Sequence, residues 1–151
     1  MKKLFIFLSI ITELTCFSQD NILVNDAKAE KRILNASFNA ITVSDGIEQL
    51  LTQGNTEAIA VSASSQEYIG RLKTVVENAV LKIYYDDKSV FGNSDSKRKL
   101  KAYLSFKSLE KLKASSGANV IVKSDLNLDK LTVSFSSGSL FSAKLKSKIL
   151  K

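Results

Sequence analysis

A chain of 151 residues, 44% of them hydrophobic, suits one domain with a genuine core and excludes a mostly disordered segment. It has no histidine, so the commonest general base and imidazole metal ligand are missing and serine triads of the usual kind are excluded. The formal charge of +7 favours anionic partners without choosing among them.

Residues 1–18 read as a secretory signal peptide. Lys2 and Lys3 precede the apolar run Leu4-Phe5-Ile6-Phe7-Leu8-Ser9-Ile10-Ile11, and small Ser18 stands before Gln19. The run is shorter than the roughly 20 residues that a spanning helix needs. The expectation is therefore an exported protein of the periplasm or cell surface, with no nucleic acid as partner. Cys16 is the only cysteine, so cleavage after Ser18 leaves no thiol for a disulfide or a metal. A lipoprotein anchored through Cys16 is the alternative, ranked second because Glu13-Leu14-Thr15 matches such a cleavage site poorly. Lys2 and Lys3 against Glu13 give this segment +1 and leave +6 on the rest.

Residues 19–32 are polar and charged and read as a flexible leader or an edge-pairing segment. From Ile33 to Lys151 the texture is that of one β domain. The run Phe38-Asn39-Ala40-Ile41-Thr42-Val43 leads into the turn signal Ser44-Asp45-Gly46, where glycine takes positive φ without steric cost. Residues 58–63 form the next apolar strand, and residues 64–70 have room for a helical turn. Residues 72–76 and 80–85 pair as strands around Glu77-Asn78-Ala79. The second alternates Leu81, Ile83 and Tyr85 with Val80, Lys82 and Tyr84, as a sheet with one buried face requires. Residues 86–99 are a polar excursion. Asp86, Asp87 and Asp95 fall there, but their spacing fits no EF-hand and Lys88, Lys97, Arg98 and Lys99 oppose a dication, so the segment reads as a solvated loop. Neither a metal nor any other cofactor is expected. Leu100, Ala102, Leu104 and Phe106 then alternate with Lys101, Tyr103, Ser105 and Lys107 as another half-buried strand.

The C-terminal part repeats itself. Leu109-Glu110-Lys111-Leu112-Lys113-Ala114-Ser115-Ser116-Gly117 is followed by Leu128-Asp129-Lys130-Leu131-Thr132-Val133-Ser134-Phe135-Ser136-Ser137-Gly138, each copy a short strand ending in a Ser-Ser-Gly corner. A period near 20 residues suits one coil of a solenoid. Stacked coils would place Leu112 over Leu131 and Gly117 over Gly138, with small residues forced at corners that touch. Ile41-Thr42-Val43-Ser44-Asp45-Gly46 supplies a third copy of the strand and corner. The reading is an all-β, right-handed β-helix-like solenoid with irregular coils; the alternative is a β-sandwich that uses similar hairpin turns twice. Ser115, Ser116, Ser136 and Ser137 have no identified base and read as corner residues.

The passage from Phe38 to Ile47, the segment Asn78-Ala79-Val80-Leu81-Lys82-Ile83 and the Leu-x-x-Leu and Ser-Gly repeats resemble the head GIN domain family of Bacteroidota, described as auto-transporter adhesin heads. The resemblance implies an exported envelope protein with a β-helix-like fold and an adhesin-like role. It also implies further Ser-Gly coils than the few seen before Lys151, so the domain reads as truncated or as self-associating through its C-terminal coil. Asn78-Ala79 stands where the family pattern suggests Asn-Gly.

Lys97, Arg98, Lys99 and Lys101 form the densest basic cluster, and Lys144, Lys146 and Lys148 alternate onto one strand face. These seven are the candidate patch for an anionic glycan or another envelope component, against the plainer role of lysines that discourage edge-to-edge aggregation. Tyr68, Tyr84, Tyr85 and Tyr103 offer rings for sugar stacking where exposed. The leading function is a non-enzymatic binding or structural module of the cell envelope. The competing class is a carbohydrate-active enzyme or glycan-binding protein on a β-helix scaffold; an enzyme would need clustered carboxylates or a Lys/Arg base in a groove, and two carboxylates facing each other across a cleft would be its sign.

Overall fold

The computed structural model describes residues 24–88 and 97–143. Within them the regular structure is almost all strand: β1 Glu30–Arg32, β2 Ala40–Val43, β3 Glu48–Gln53, β4 Ala58–Ser62, the short helix α1 Gln66–Arg71, β5 Leu72–Glu77, β6 Val80–Tyr85, β7 Lys101–Phe106, β8 Lys111–Ala114, β9 Asn119–Val122, β10 Thr132–Phe135 and β11 Leu140–Ser142. Glu30–Arg32, at the end of the polar segment before Ile33, lies antiparallel on β4 with Lys31 opposite Ala60.

The strands form two mixed sheets. The first runs β1-β4-β7-β3-β9-β11 and the second β10-β8-β2-β6-β5. Alternation explains why each sheet is buried on one face. In β8, Leu112 and Ala114 are buried while Lys111 and Lys113 are exposed, and β6 repeats the pattern with Leu81 and Ile83 inside. The inward residues of both sheets meet in one cluster, with Ile41, Leu81 and Leu112 from the second and Leu51, Leu104, Phe106 and Val120 from the first. Truncating a fully buried leucine such as Leu112 to alanine costs about 2–5 kcal/mol in such a core.

Three strand–turn–strand units lie side by side. In each, a strand of the second sheet passes through a glycine turn into a strand of the first: β2 into β3, β8 into β9, β10 into β11. The two strands around each turn belong to different sheets, so these turns are not hairpins. Equivalent strands pair in parallel, Ile41 opposite Leu112 and Leu112 opposite Val133. The second pairing corrects the expectation that Leu112 lies over Leu131. The repeat is 21 residues by register and 19 only by its leucines, because the connection before β10 is longer and Leu128 and Leu131 lie within it, packed part-buried on the core.

The glycines do stack. Ile47 N donates to Ser44 O at 3.3 Å, Ala118 N to Ser115 O at 3.0 Å and Ser139 N to Ser136 O at 3.1 Å, closing three like turns. Their central pairs Asp45-Gly46, Ser116-Gly117 and Ser137-Gly138 all have positive φ, from 49° to 74°. Gly46 N donates across to Ser116 O at 2.9 Å, and Gly117 N to Ser137 O at 3.0 Å. The reason for glycine is not the crowding inferred from the repeat, since a Cβ at any of the three would meet nothing within 4 Å. It is the left-handed backbone, which costs an L-residue about 1–2 kcal/mol.

Candidate functional site

The basic cluster singled out by its density is only partly available to a ligand. Lys97 and Lys99 are exposed. The Arg98 guanidinium sits 4.5 Å from the centroid of the Tyr85 ring, beside Arg71 at 5.0 Å, and Asp87 reaches both arginines at 3.6 and 3.1 Å. Asp86 and Asp87, weighed as cation ligands, stand against these guanidiniums: Arg71 also donates to the Asp86 carbonyl at 2.9 Å. With Tyr85 only 5% exposed, this is a packed cation–π and ion-pair cluster that closes the β6 end of the sheet. Lys101 pairs with Glu48 at 3.4 Å on the neighbouring strand. Lys144, Lys146 and Lys148 lie outside the described residues.

Among the tyrosines, Tyr84 is exposed, Tyr85 is buried with Tyr68 tilted against it at 6.4 Å, and Tyr103 is tied down. Its hydroxyl donates to the Asp26 carboxylate at 2.7 Å, the Ser62 hydroxyl donates to the same oxygen at 2.6 Å, and Lys28 N donates to the other oxygen at 3.0 Å. The Ser62 hydrogen bond, then that of Tyr103, holds the Asp26 carboxyl below the usual range. Desolvation, then the carboxylate beside it, pushes the Tyr103 phenol up. An ionised acceptor and a neutral donor make a clasp that fastens the segment before β1 onto β4 and β7.

Among the described residues, a concavity lies on the side opposite the glycine turns, where the chain enters the strands of the second sheet. It is a groove of about 730 Å³, within the range of small-ligand sites. Four neighbouring strands build it: β6 with Asn78 and Val80, β2 with Asn39 and Ala40, β8 with the connection from Lys107 to Glu110, and β10 with the connection from Asn127 to Lys130. The ladder keeps these entries aligned, since Asn39 N donates to Ala79 O at 3.0 Å, Glu110 N to Asn39 O at 2.8 Å and Thr132 N to Glu110 O at 2.8 Å. Gln53 fixes the far wall. Its amide nitrogen donates to the carbonyls of Lys107 at 3.1 Å and Asn127 at 3.0 Å, and its amide oxygen accepts from Asn127 N at 2.7 Å.

Beside the groove, the outward face of the second sheet is basic. Lys111 and Lys113 are exposed on β8, and Lys82 is opposite Thr42, which is opposite Lys113, placing these two lysines about 10 Å apart at two strand spacings. Lys82 is ion-paired with Glu77. Neither surface was singled out from the sequence. Lysine at every second position of β8 was the available signal, but only the strand order brings β6 and β8 to the two sides of β2.

Comparison with known proteins places the geometry in a family. The model of a family described as "Putative auto-transporter adhesin, head GIN domain" matches residues 37–151. Among solved structures, the chain is similar to a "putative adhesin" from Parabacteroides merdae at 22% identity, with a TM-score of 0.60 over 80% of this chain and 52% of that one. A "putative adhesin" from Bacteroides fragilis gives 18% identity and a TM-score of 0.59, over 80% and 57%. A "putative lipid binding protein" from Parabacteroides distasonis gives 16% and 0.57, over 80% and 60%. The chain thus spans about half to three fifths of the length of these structures, and at such identities the likeness is one of fold. No curated protein matches the sequence.

Proposed function

We propose that this chain, which belongs to the head GIN domain family, is a non-enzymatic, adhesin-like binding module exported to the bacterial envelope. The parallel strand–turn–strand units support a right-handed β-helix-like path, in which each unit is one coil and the sheets are the sides of the coil. Such a scaffold does not need to move. Its turns and connections stack at a fixed spacing of about 4.8 Å, so side chains at coil entries form a ladder that suits a repetitive polymer.

The groove across the entries of β6, β2, β8 and β10 is the observation that carries this reading, with the lysines of β8 as its charged margin. The partner class is an anionic glycan or another envelope component, drawn first by the positive field of the chain. A glycan array at low and high salt tests the reading, together with mass spectrometry of the mature N-terminus. Retention of envelope glycans and a processed N-terminus support it. Release of new reducing ends from a bound glycan, or a protein that keeps residues 1–18 and stays inside the cell, overturns it.

A further inference from the structure

The geometry points to the groove as a subsite for an uncharged, polyhydroxylated unit: one or two pyranose rings of a glycan chain, held by amide and carboxylate hydrogen bonds. This deepens the binding-module reading and rests on it. Three asparagines from three different entries, Asn39, Asn78 and Asn127, line the space and are all exposed. Each side-chain amide offers two donors and one carbonyl acceptor, the complement of vicinal hydroxyls. Among the described residues, the side chains of Asn39, Asn78, Glu110 and Asp129 make no hydrogen bond or ion pair, so their polar atoms are available to a ligand.

Charge decides against a polyanion in this particular space. Lys107, Lys111 and Lys130 are opposed there by Glu110 and Asp129, which leaves a net of about one positive charge over the whole groove. A sulfate or uronate placed inside would meet two carboxylates. A hydroxyl meets donors and acceptors in alternation. Buried Leu109 and Ala40, with half-buried Val80 and Leu128, form an apolar floor against which the C–H face of a sugar ring can lie. The positive field of the lysine face then acts on the polymer as a whole, and the groove reads its uncharged units.

The test is amide-resolved NMR on the exported chain, titrated with neutral trisaccharides of hexose and of N-acetylhexosamine, and separately with a sulfated polysaccharide, each at low and high salt. At least one neutral trisaccharide should shift the side-chain amide signals of Asn39, Asn78 and Asn127 at both salt levels. Asn39→Ala and Asn127→Ala should each weaken that binding about tenfold, the equivalent of one well-made hydrogen bond. Asn127→Ala leaves intact the backbone donor and acceptor that Gln53 uses, so its effect is not one of misfolding. If only the sulfated polymer binds, and is released at high salt, the subsite is wrong while the binding module stands. If neutral sugars shift signals around Lys97 and Tyr84 instead, the subsite is equally wrong. If nothing binds under any condition, both fail together.

Discussion

The amide of Gly117 donates to the carbonyl of Ser137 at 3.0 Å, one turn resting on the next, and both residues have left-handed backbone with φ of 73° and 49°. Glycine meets that demand freely at one position, and serine meets it at a cost at the other. Replacing Gly117 by alanine is expected to lower stability by about 1–2 kcal/mol although the added methyl touches nothing within 4 Å. Ser116→Gly should do the opposite by up to about 1 kcal/mol. Urea unfolding of both variants measures the pair, and a neutral Gly117→Ala would mean that the left-handed backbone is not what selects glycine at the corner.

The β5–β6 hairpin turns through Asn78 and Ala79, with φ of 51° and 60°. Asparagine tolerates this region and alanine does not, which is why Asn-Gly is the favoured pair for such a turn. Ala79→Gly should therefore stabilise the protein by about 0.5–1 kcal/mol, the relief of strain exceeding the extra chain entropy of glycine. The Ala79 carbonyl, which accepts from Asn39 N at 3.0 Å and Ala40 N at 3.2 Å, is kept. A lower midpoint in the urea titration would show that the methyl contributes packing worth more than the strain.

What could be read in the sequence follows from which features are local. Period-2 alternation in residues 80–85 and 100–106 reports a buried face directly, and both segments are strands. The Ser-Gly corners were visible because positive φ selects residue types. Register was not, because the Leu-x-x-Leu signal of the second unit falls in a connection and marks no strand position. The groove was also hidden: Asn39, Asn78 and Asn127 are 39 and 49 residues apart, and only the order β6-β2-β8-β10 draws them together. Arg98 shows the converse error. Its neighbours in sequence are lysines, yet its neighbours in space are Tyr85 and Asp87.

Gln49 is wholly buried on β3, between Ala102 and Val120 in the register, and neither its amide nitrogen nor its oxygen has a hydrogen-bond partner among the described residues. Its outward-facing neighbours Glu48 and Leu50 belong to the other face, so the side chain points into the core. An unsatisfied buried amide costs about 1–3 kcal/mol, and methionine fills nearly the same volume without that cost. Gln49→Met should raise stability by about 1 kcal/mol or more in chemical denaturation. A loss of stability would identify a polar partner held in the core that the packing of protein atoms alone does not supply.

The Asp26 clasp makes stability depend on acid. Its folded pKa lies below the ordinary 3.8, first through the Ser62 hydrogen bond, so it contributes stability above that value and loses it as pH falls through the folded pKa. Thermal unfolding of the wild type and Asp26→Asn should differ at neutral pH and converge as the solution is acidified below pH 3.8. The partner behaves in the reverse sense. Tyr103, raised above 10.0, keeps its contribution below that value and loses it as pH rises further, which an ultraviolet titration of Tyr103→Phe against the wild type resolves. An acid-independent gap between wild type and Asp26→Asn would mean that the carboxylate acts by shape and not by charge.

The two ends of the stacked units are treated differently. At one end the outer strands carry charge: β1 is Glu30-Lys31-Arg32, and β5 carries Lys73 and Glu77. At the other end of the described residues, β10 and β11 carry none, and Val133, Leu140 and Phe141 are 45%, 66% and 37% exposed, with the Phe135 and Phe141 rings 5.1 Å apart. Uncharged outer strands with apolar side chains are templates for pairing, and a lysine is the usual means of blunting them. Light scattering across a concentration series should therefore show association of the wild-type chain that Leu140→Lys or Val133→Lys suppresses, with the circular dichroism of each variant unchanged. The two substitutions probe different sheets, so suppression by one alone identifies which strand forms the contact. If scattering is the same for all three proteins, the exposed residues at this end are solvated and the strands are protected by other means.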